Sequence, residues 1–141
     1  MKRTKWSNSS SVYIPEIDAE HRSLYRSVEE LQKAARAAVP AEQILVLVEE
    51  AATHIAGHFA HEERLMKATH YPSAEWHKRQ HEGATRRVLE LYQPIKCGDE
   101  TAAPALVEYL AGWMQDHITV ADRMMAAHLR GWDRLHTSLA S

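Results

Sequence analysis

The sequence predicts an all-α protein, an antiparallel up-down four-helix bundle with an N-terminal arm and a short C-terminal segment. Three observations predict this fold. Apolar residues recur at steps of three and four in four segments. Prolines separate those segments, and the alternating patterns and turn dipeptides of β-hairpins are absent. Amphipathic helices joined by short connections pack as an antiparallel bundle.

The chain length sets the number of domains. With 141 residues, the chain can form one domain around one core. We therefore expect a single domain over residues 1–141, with an N-terminal arm (1–17), a four-helix bundle (18–131) and a C-terminal segment (132–141).

The first two helices are predicted on either side of Pro40. The first runs from about Asp18, a plausible N-cap, to Val39. Its apolar stripe contains Ile17, His21, Leu24, Val28, Leu31 and Ala35. The second runs from about Ala41 to Thr69. Its stripe contains Ile44, Leu47, Val48, Ala51, Ile55, His58, Glu62 and Leu65.

The third and fourth helices are predicted after Pro72 and Pro94. Ser73 can cap the third helix. Its stripe contains His77, His81, Ala84, Val88 and Leu91. The fourth begins near Thr101, tolerates Pro104 in its first turn, and is expected to stop at Gly131. Its stripe contains Leu106, Leu110, Met114, His117, Ala121 and Met125.

Composition excludes several classes of partner. The net charge of −2 gives no basis for binding nucleic acid or an anionic membrane. No apolar run is long enough to span a membrane, and the first residues lack the apolar region of a secretory signal. Cys97 is alone, so an intrachain disulfide is impossible and a cytoplasmic location is expected.

The most informative feature is a set of titratable residues on the apolar stripes of all four helices. A buried polar group costs free energy unless something pairs it, and a pair of metal ions would satisfy all of them at once. The candidate metal ligands are His21, His58, Glu62, His77, His81, His117 and Asp122.

The spacing of these residues determines which can share a metal. His58 and Glu62 are four residues apart, as are His77 and His81, so each pair lies on one helix face. His117 and the last carboxylate, Asp122, are five residues apart, which is about 140° around an ideal helix. We therefore expect these two to address different parts of a two-metal cluster rather than the same atom.

The number of donors favours two metals of unequal coordination. Five imidazoles and two carboxylates exceed the four ligands of a usual zinc site. If both carboxylates and one solvent-derived oxygen bridge two metals, the five histidines divide as three and two. One metal is then six-coordinate and the other keeps an open position. Mixed nitrogen and oxygen ligation suits iron, among other divalent metals.

Four motifs resemble those of the hemerythrins, especially the single-domain bacterial branch. They are Ile17-Asp18-Ala19-Glu20-His21, His58-Phe59-Ala60-His61-Glu62-Glu63, Tyr71-Pro72 followed by His77-x-x-x-His81, and Trp113-Met114-Gln115-Asp116-His117-Ile118 with Asp122. Trp6 and Val12 also resemble the N-terminal arm of that branch. The resemblance covers about residues 6 to 130, and every ligand position of the family is filled.

The resemblance implies a centre of two non-haem iron ions joined by an oxo or hydroxo bridge. It implies that His77, His81 and His117 bind one iron, and that His21 and His58 bind the iron with the open position. Glu62 and Asp122 would bridge the two. The implied function is reversible dioxygen binding by a carrier, store or sensor rather than an enzyme, with nitric oxide and small anions as further ligands. We expect a monomer.

Two other classes of function stay open at this point. One is a di-iron enzyme, such as a nitric oxide reductase, a peroxide reductase or an oxidase. The other is an iron storage or repair module, or a zinc-binding one. A sensor normally needs an output domain, so the absence of one from this sequence favours a free carrier or store.

Two methionines depart from the hemerythrin pattern. Met114 stands where the family usually has Leu beside the bound gas, and Met125 stands where Tyr is common. Methionine is flexible and oxidisable, so altered autoxidation is expected from Met114. At Met125 we expect a hydrogen bond near the bridge to be missing. We interpret His54, His61 and Glu63 as solvated or packed side chains, and Trp76 and Trp113 as packing residues.

Overall fold

The computed structural model describes residues 4–140, and side chains as far as residue 137. The helices are α1 (Pro15–Arg36), α2 (Ala41–Ala68), α3 (Ala74–Lys96), α4 (Ala103–His117) and α5 (Arg123–Ala140), with a 3-10 turn at Asn8–Ser10 and a π-helical turn at Ile118–Asp122. Helices α1 and α3 each pack against α2 and α4, which confirms the predicted four-helix bundle. Residues 1–3 and 141, the outer ends of the predicted arm and C-terminal segment, lie outside the described residues.

Helix α1 begins earlier than predicted. We expected Asp18 to be its N-cap, but the helix starts at Pro15. Proline suits the first helical position because its ring fixes φ at a helical value and its missing N–H is not needed there. Asp18 is instead buried and accepts hydrogen bonds from the backbone N–H of Val12 and the hydroxyl of Ser11. It therefore ties the N-terminal arm to the bundle.

The expected stop at Gly131 is also wrong, because α5 continues to Ala140. Glycine inside a helix costs only about 1 kcal/mol relative to alanine, which neighbouring contacts can offset. The rings of Trp132 and His136, one turn apart, stack at 3.9 Å. The segment after Gly131 is thus a continuation of the fourth helix of the bundle, which consists of α4, the π turn and α5.

Two apolar clusters lie on either side of the titratable residues along the bundle. The larger one surrounds Leu24, Val48 and Leu110, and the smaller one contains Ile17 and Met125. On each helix the titratable residues fall between members of the two clusters, so apolar layers close the bundle above and below them. Among the described residues, no helix is long and apolar enough to cross a membrane.

Candidate metal centre

All seven predicted ligands meet in the bundle interior, where each is buried. Their donor atoms form two overlapping groups. The three-histidine half consists of His77, His81, His117, Glu62 and Asp122. The two-histidine half consists of His21, His58, Glu62 and Asp122. The two carboxylates belong to both halves. His54 lies outside these groups, exposed and within 3.4 Å of the Ser27 hydroxyl.

The π turn corrects the prediction that His117 and Asp122 cannot address the same atom. His117 ends α4 and Asp122 ends the π turn. Five residues cover about 140° beyond a full turn of an α-helix, but a π turn pairs residue i with residue i+5. It therefore returns Asp122 to the face of His117, and Asp122 Oδ1 lies 3.1 Å from His117 Nε2.

In the three-histidine half, the donor atoms lie close to one another in several pairs. His117 Nε2 is 3.2 Å from the Nε2 atoms of both His77 and His81. Glu62 Oε1 lies 3.1 Å from His81 Nε2 and 3.4 Å from His77 Nε2. Asp122 Oδ1 lies 3.1 Å from His77 Nε2. Three nitrogens and two oxygens therefore converge on one point.

The two-histidine half uses the other oxygen of each carboxylate. His21 Nε2 and His58 Nε2 are 3.0 Å apart. Asp122 Oδ2 lies 3.0 Å from His21 Nε2, and Glu62 Oε2 lies 3.1 Å from His58 Nε2. Each carboxylate thus offers one oxygen to each half, as a bridging ligand does. This half has one protein donor fewer than the other.

These separations match the edges of a metal coordination shell. Ligands about 2.1 Å from a metal are about 3.0 Å apart at octahedral angles and about 3.4 Å apart at tetrahedral ones. Most of the measured separations are near the octahedral value. Glu62 Oε2 and both carboxylate oxygens of Asp122 are buried without a hydrogen bond, despite the nearby imidazoles. Donors that approach one another without hydrogen bonding fit a shared cation.

The electrostatics of the cluster also favour a cation. Burial opposes protonation of His21 and His77, but contacts with Asp122 and Glu62 raise the pKa of each histidine to about 9. Burial and the charge of Glu62 oppose ionisation of Asp122, yet contacts with three histidines lower its pKa below the usual value. Burial also opposes ionisation of Glu62, whose four histidine contacts hold its pKa well below the usual value. Both buried carboxylates are therefore ionised at neutral pH.

Three residues that the sequence analysis missed orient the ligand histidines. Glu20 Oε1 lies 2.7 Å from His58 Nδ1, and Gln80 Oε1 lies 2.9 Å from His117 Nδ1. An acceptor at Nδ1 fixes the proton there and leaves Nε2 free to bind a metal. These two ligand histidines are thus held in the tautomer that a metal requires.

Glu63 orients a third histidine, which corrects its interpretation as a solvated or packed side chain. Its Oε2 lies 3.0 Å from His81 Nδ1. His61 is likewise engaged, with its Nδ1 2.7 Å from Glu20 Oε2. Glu20, Glu63 and Gln80 each adjoin a predicted ligand in the sequence. That adjacency was the available signal, because a residue beside a ligand flanks the buried face and can reach the next helix.

Aromatic rings pack against the three-histidine half. Phe59 stacks on His81, with ring centroids 3.8 Å apart and planes 3° apart. Trp113 stacks on His117, with centroids 4.4 Å apart. Trp113 is therefore a packing residue, as interpreted from the sequence, and the ring against which it packs is a candidate metal ligand. These contacts fix the imidazole planes.

A small cavity lies beside the candidate ligands. Its volume is about 20 Å³, and its lining includes His58 of the two-histidine half, His117 of the three-histidine half and the shared Asp122, with an apolar wall that includes Leu24 and Ile118. A cavity needs about 10–15 Å³ to hold one water molecule, so this one accommodates only a very small molecule. Met114 is buried and lines it. The cavity thus reaches the centre where the two halves meet, and the half with fewer protein donors contacts it through His58.

The fold and the donor set define a class of protein: the chain belongs to the hemerythrin family. Residues 12–129 match the family described as Hemerythrin HHE cation binding domain. This range includes all seven candidate ligands.

The chain is also similar to individual myohemerythrins and to a bacteriohemerythrin. The chain is 20% identical to a myohemerythrin of Theromyzon tessulatum over 129 residues, 92% of this chain and 87% of the relative. It is 26% identical to a myohemerythrin of Riftia pachyptila over 118 residues, 83% of this chain and 86% of the relative. It is 32% identical to a bacteriohemerythrin of Ralstonia nicotianae over 76 residues, 54% of this chain and 56% of the relative.

Proposed function

We propose that this protein binds dioxygen reversibly at a centre of two non-haem iron ions. His77, His81 and His117 hold one iron, His21 and His58 hold the other, and Glu62 and Asp122 bridge them. When bound, the iron pair supplies two electrons that dioxygen can take up and return. We propose further that it is a cytosolic carrier, store or sensor rather than an enzyme, and its lone Cys97 fits a reducing compartment.

One observation supports this proposal most strongly: the small cavity reaches the donor set at His58, Asp122 and His117, and so includes a ligand of the half with fewer donors. Two nitrogens and two oxygens serve the two-histidine half, against three nitrogens and two oxygens in the other half. A small molecule in this cavity would therefore lie beside a ligand of the half that has one protein donor fewer. Separations near the octahedral value also favour iron over four-coordinate zinc.

The chain's own residues favour binding over turnover. Five neutral imidazoles stabilise the reduced metal pair better than a carboxylate-rich set would, because they add no negative charge. Leu24, Ile118 and Met114 give the cavity an apolar wall that limits entry of water and protons. Without a ready proton supply, a bound gas is released rather than reduced further.

Spectroscopy with metal analysis tests the proposal. The protein as purified in air should contain two irons per chain and be coloured, and removal of oxygen should bleach it reversibly. A colourless protein with two irons would overturn dioxygen binding. Continuous consumption of oxygen, nitric oxide or peroxide in the presence of a reductant would show an enzyme instead.

A variant of the cavity sharpens this test. Ile55 is half-buried and lines the small cavity. We expect Ile55→Phe to fill the cavity and weaken dioxygen binding by about tenfold or more, with both metals retained. Val88→Phe is the matched control, because Val88 lines a larger neighbouring cavity but not the small one. Equal effects of the two substitutions would show that the small cavity is not the gas site.

A further inference from the structure

A second, larger cavity opens between α2, α3 and α4, next to the small cavity, and the two share the side chains of Ile55, Phe59, Leu110 and Trp113. Its volume is about 390 Å³. The buried side chains of Val48, Ala84 and Leu110 line its inner part, and the exposed side chains of Ala56 and Leu89 line its mouth. Apolar cavities of about 150 Å³ already take up benzene. This one therefore has room for a chain of about eight carbons.

The lining is apolar except at a few oxygens. The hydroxyl of Thr85 donates to the carbonyl oxygen of His81, within its own helix. Tyr92 donates to Glu49 Oε1 at 2.6 Å, which joins α3 to α2 across the cavity. Glu49 is exposed. An apolar interior with one carboxylate at its opening matches a molecule with an alkyl tail and a polar head that donates a hydrogen bond.

We propose that this cavity is a binding site for a single-chain alkyl molecule of about eight carbons whose head is an uncharged or cationic hydrogen-bond donor. The tail lies against Val48, Ala84 and Leu110, and the head reaches the carboxylate of Glu49. An anionic head is disfavoured because it would face that carboxylate. The proposal does not rest on the dioxygen function, since none of the candidate metal ligands lines the site.

The occupant would nevertheless contact the walls of the metal centre. Phe59 and Trp113 line the cavity and also stack on His81 and His117. A molecule in the cavity therefore packs against the rings that hold two candidate ligands in place. Its binding should change the fluorescence of Trp113, which gives an optical signal for the titration.

Calorimetry with linear alcohols tests the proposal on the protein as purified. We expect 1-octanol to bind once per chain. Each methylene added between butanol and octanol should tighten binding by about fourfold, as burial of a methylene predicts. No binding, or an affinity independent of chain length, would overturn the alkyl site.

Two variants locate the tail. Ala56→Leu places a larger side chain at the mouth on exposed helix surface and should weaken octanol binding by about tenfold or more. Ala68→Leu is the matched control, because Ala68 is exposed on the same helix but does not line the cavity. Unchanged binding in Ala56→Leu would place octanol elsewhere and contradict the proposal.

The head is tested with octanoate. It should bind at least about tenfold more weakly than octanol, and Glu49→Gln should remove most of that difference. Equal binding of octanol and octanoate to the unchanged protein would contradict the assigned head. A second copy of the chain is the competing occupant. A dimer in sedimentation that Ala56→Leu dissociates would assign the cavity to that interface and overturn the small-molecule site.

Discussion

The three-histidine half and the two-histidine half share Glu62 and Asp122 but differ in their surroundings. In the first, aromatic rings stack on His81 and His117. Glu63 of α2 and Gln80 of α3 accept hydrogen bonds from the Nδ1 atoms of these two histidines. In the second, only His58 has such an acceptor, and the small cavity touches both His58 and His117 of the first half. The difference indicates that the ligand histidines of the first half are held more firmly than those of the second, where His21 has neither a stacked ring nor an acceptor.

The largest effect is expected where the two halves meet. Glu62→Gln removes a charge whose oxygens lie within 3.4 Å of histidines from both halves. The variant should lose more than about 100-fold in metal affinity and hold less than one metal per chain, because neither half keeps its oxygen donor set. Metal analysis after purification measures this directly.

The neighbouring Glu63 provides the matched control for that variant. Glu63→Gln keeps an oxygen near His81 Nδ1 and leaves Glu62 in place. It should retain two metals with a smaller loss of affinity. If Glu62→Gln still binds two metals with native affinity, the shared-carboxylate description is wrong.

A smaller effect, confined to one half, is expected at Glu20. Its carboxylate accepts from the rings of His58 and His61. Glu20→Gln can accept from only one of them and should weaken the second, looser metal-binding step by about 10- to 100-fold. Titration of the metal-loaded protein with a competing chelator, resolved into the two metal-binding steps, measures the change in affinity.

Glu16→Gln serves as the control for Glu20, because Glu16 is an exposed acid on the same helix. It removes an equal charge without touching a ligand. An equal loss from both variants would mean that overall charge, rather than the contact with His58, sets the affinity. If Glu20→Gln instead weakened the tighter metal-binding step, the assignment of Glu20 to the two-histidine half would be wrong.

The smallest effect is expected from Met114→Leu, which alters the wall of the small cavity and leaves every ligand in place. The branched leucine is stiffer than methionine and should exclude water better. Autoxidation of the oxygen-bound protein should slow by about fivefold or less, a change of under about 1 kcal/mol in the barrier. The decay of its absorption spectrum gives the rate, with Met124→Leu, an exposed position, as control. Identical autoxidation rates for the unchanged protein, Met114→Leu and Met124→Leu would show that Met114 does not affect autoxidation.

Much of the fold and the clustering of the candidate ligands could be predicted from short-range patterns. His58 with Glu62 and His77 with His81 follow a helical spacing that any α-helix obeys, and the structure brings each pair into the interior as expected. The start of α1 was misjudged because Asp18 resembles a cap, while its real role depends on the arm folding back onto it. Such a long-range contact leaves no local pattern.

The π turn and the hydrogen bonds to the Nδ1 atoms of the ligand histidines were harder to predict, for different reasons. Regular helical geometry places His117 and Asp122 on different faces, and a π turn is rare enough that spacing alone argues against it. The β-branched run Ile118-Thr119-Val120 was the available hint, since such residues fit an α-helix less well. The contact of Glu63 with His81 depends on how α2 and α3 pack, which the sequence of either helix does not specify.

The π turn also sets the register of everything that follows it. It adds one residue to the fourth helix of the bundle, and one residue corresponds to a rotation of about 100°. If the same residues formed a regular α-helix without the π turn, the faces of α5 would turn by about 100° relative to α4. Met125 and Leu129 would then leave the small apolar cluster. The π turn that directs Asp122 toward His117 therefore also sets which face of α5 packs in the small apolar cluster. A change in this turn would alter both the metal centre and the packing of α5.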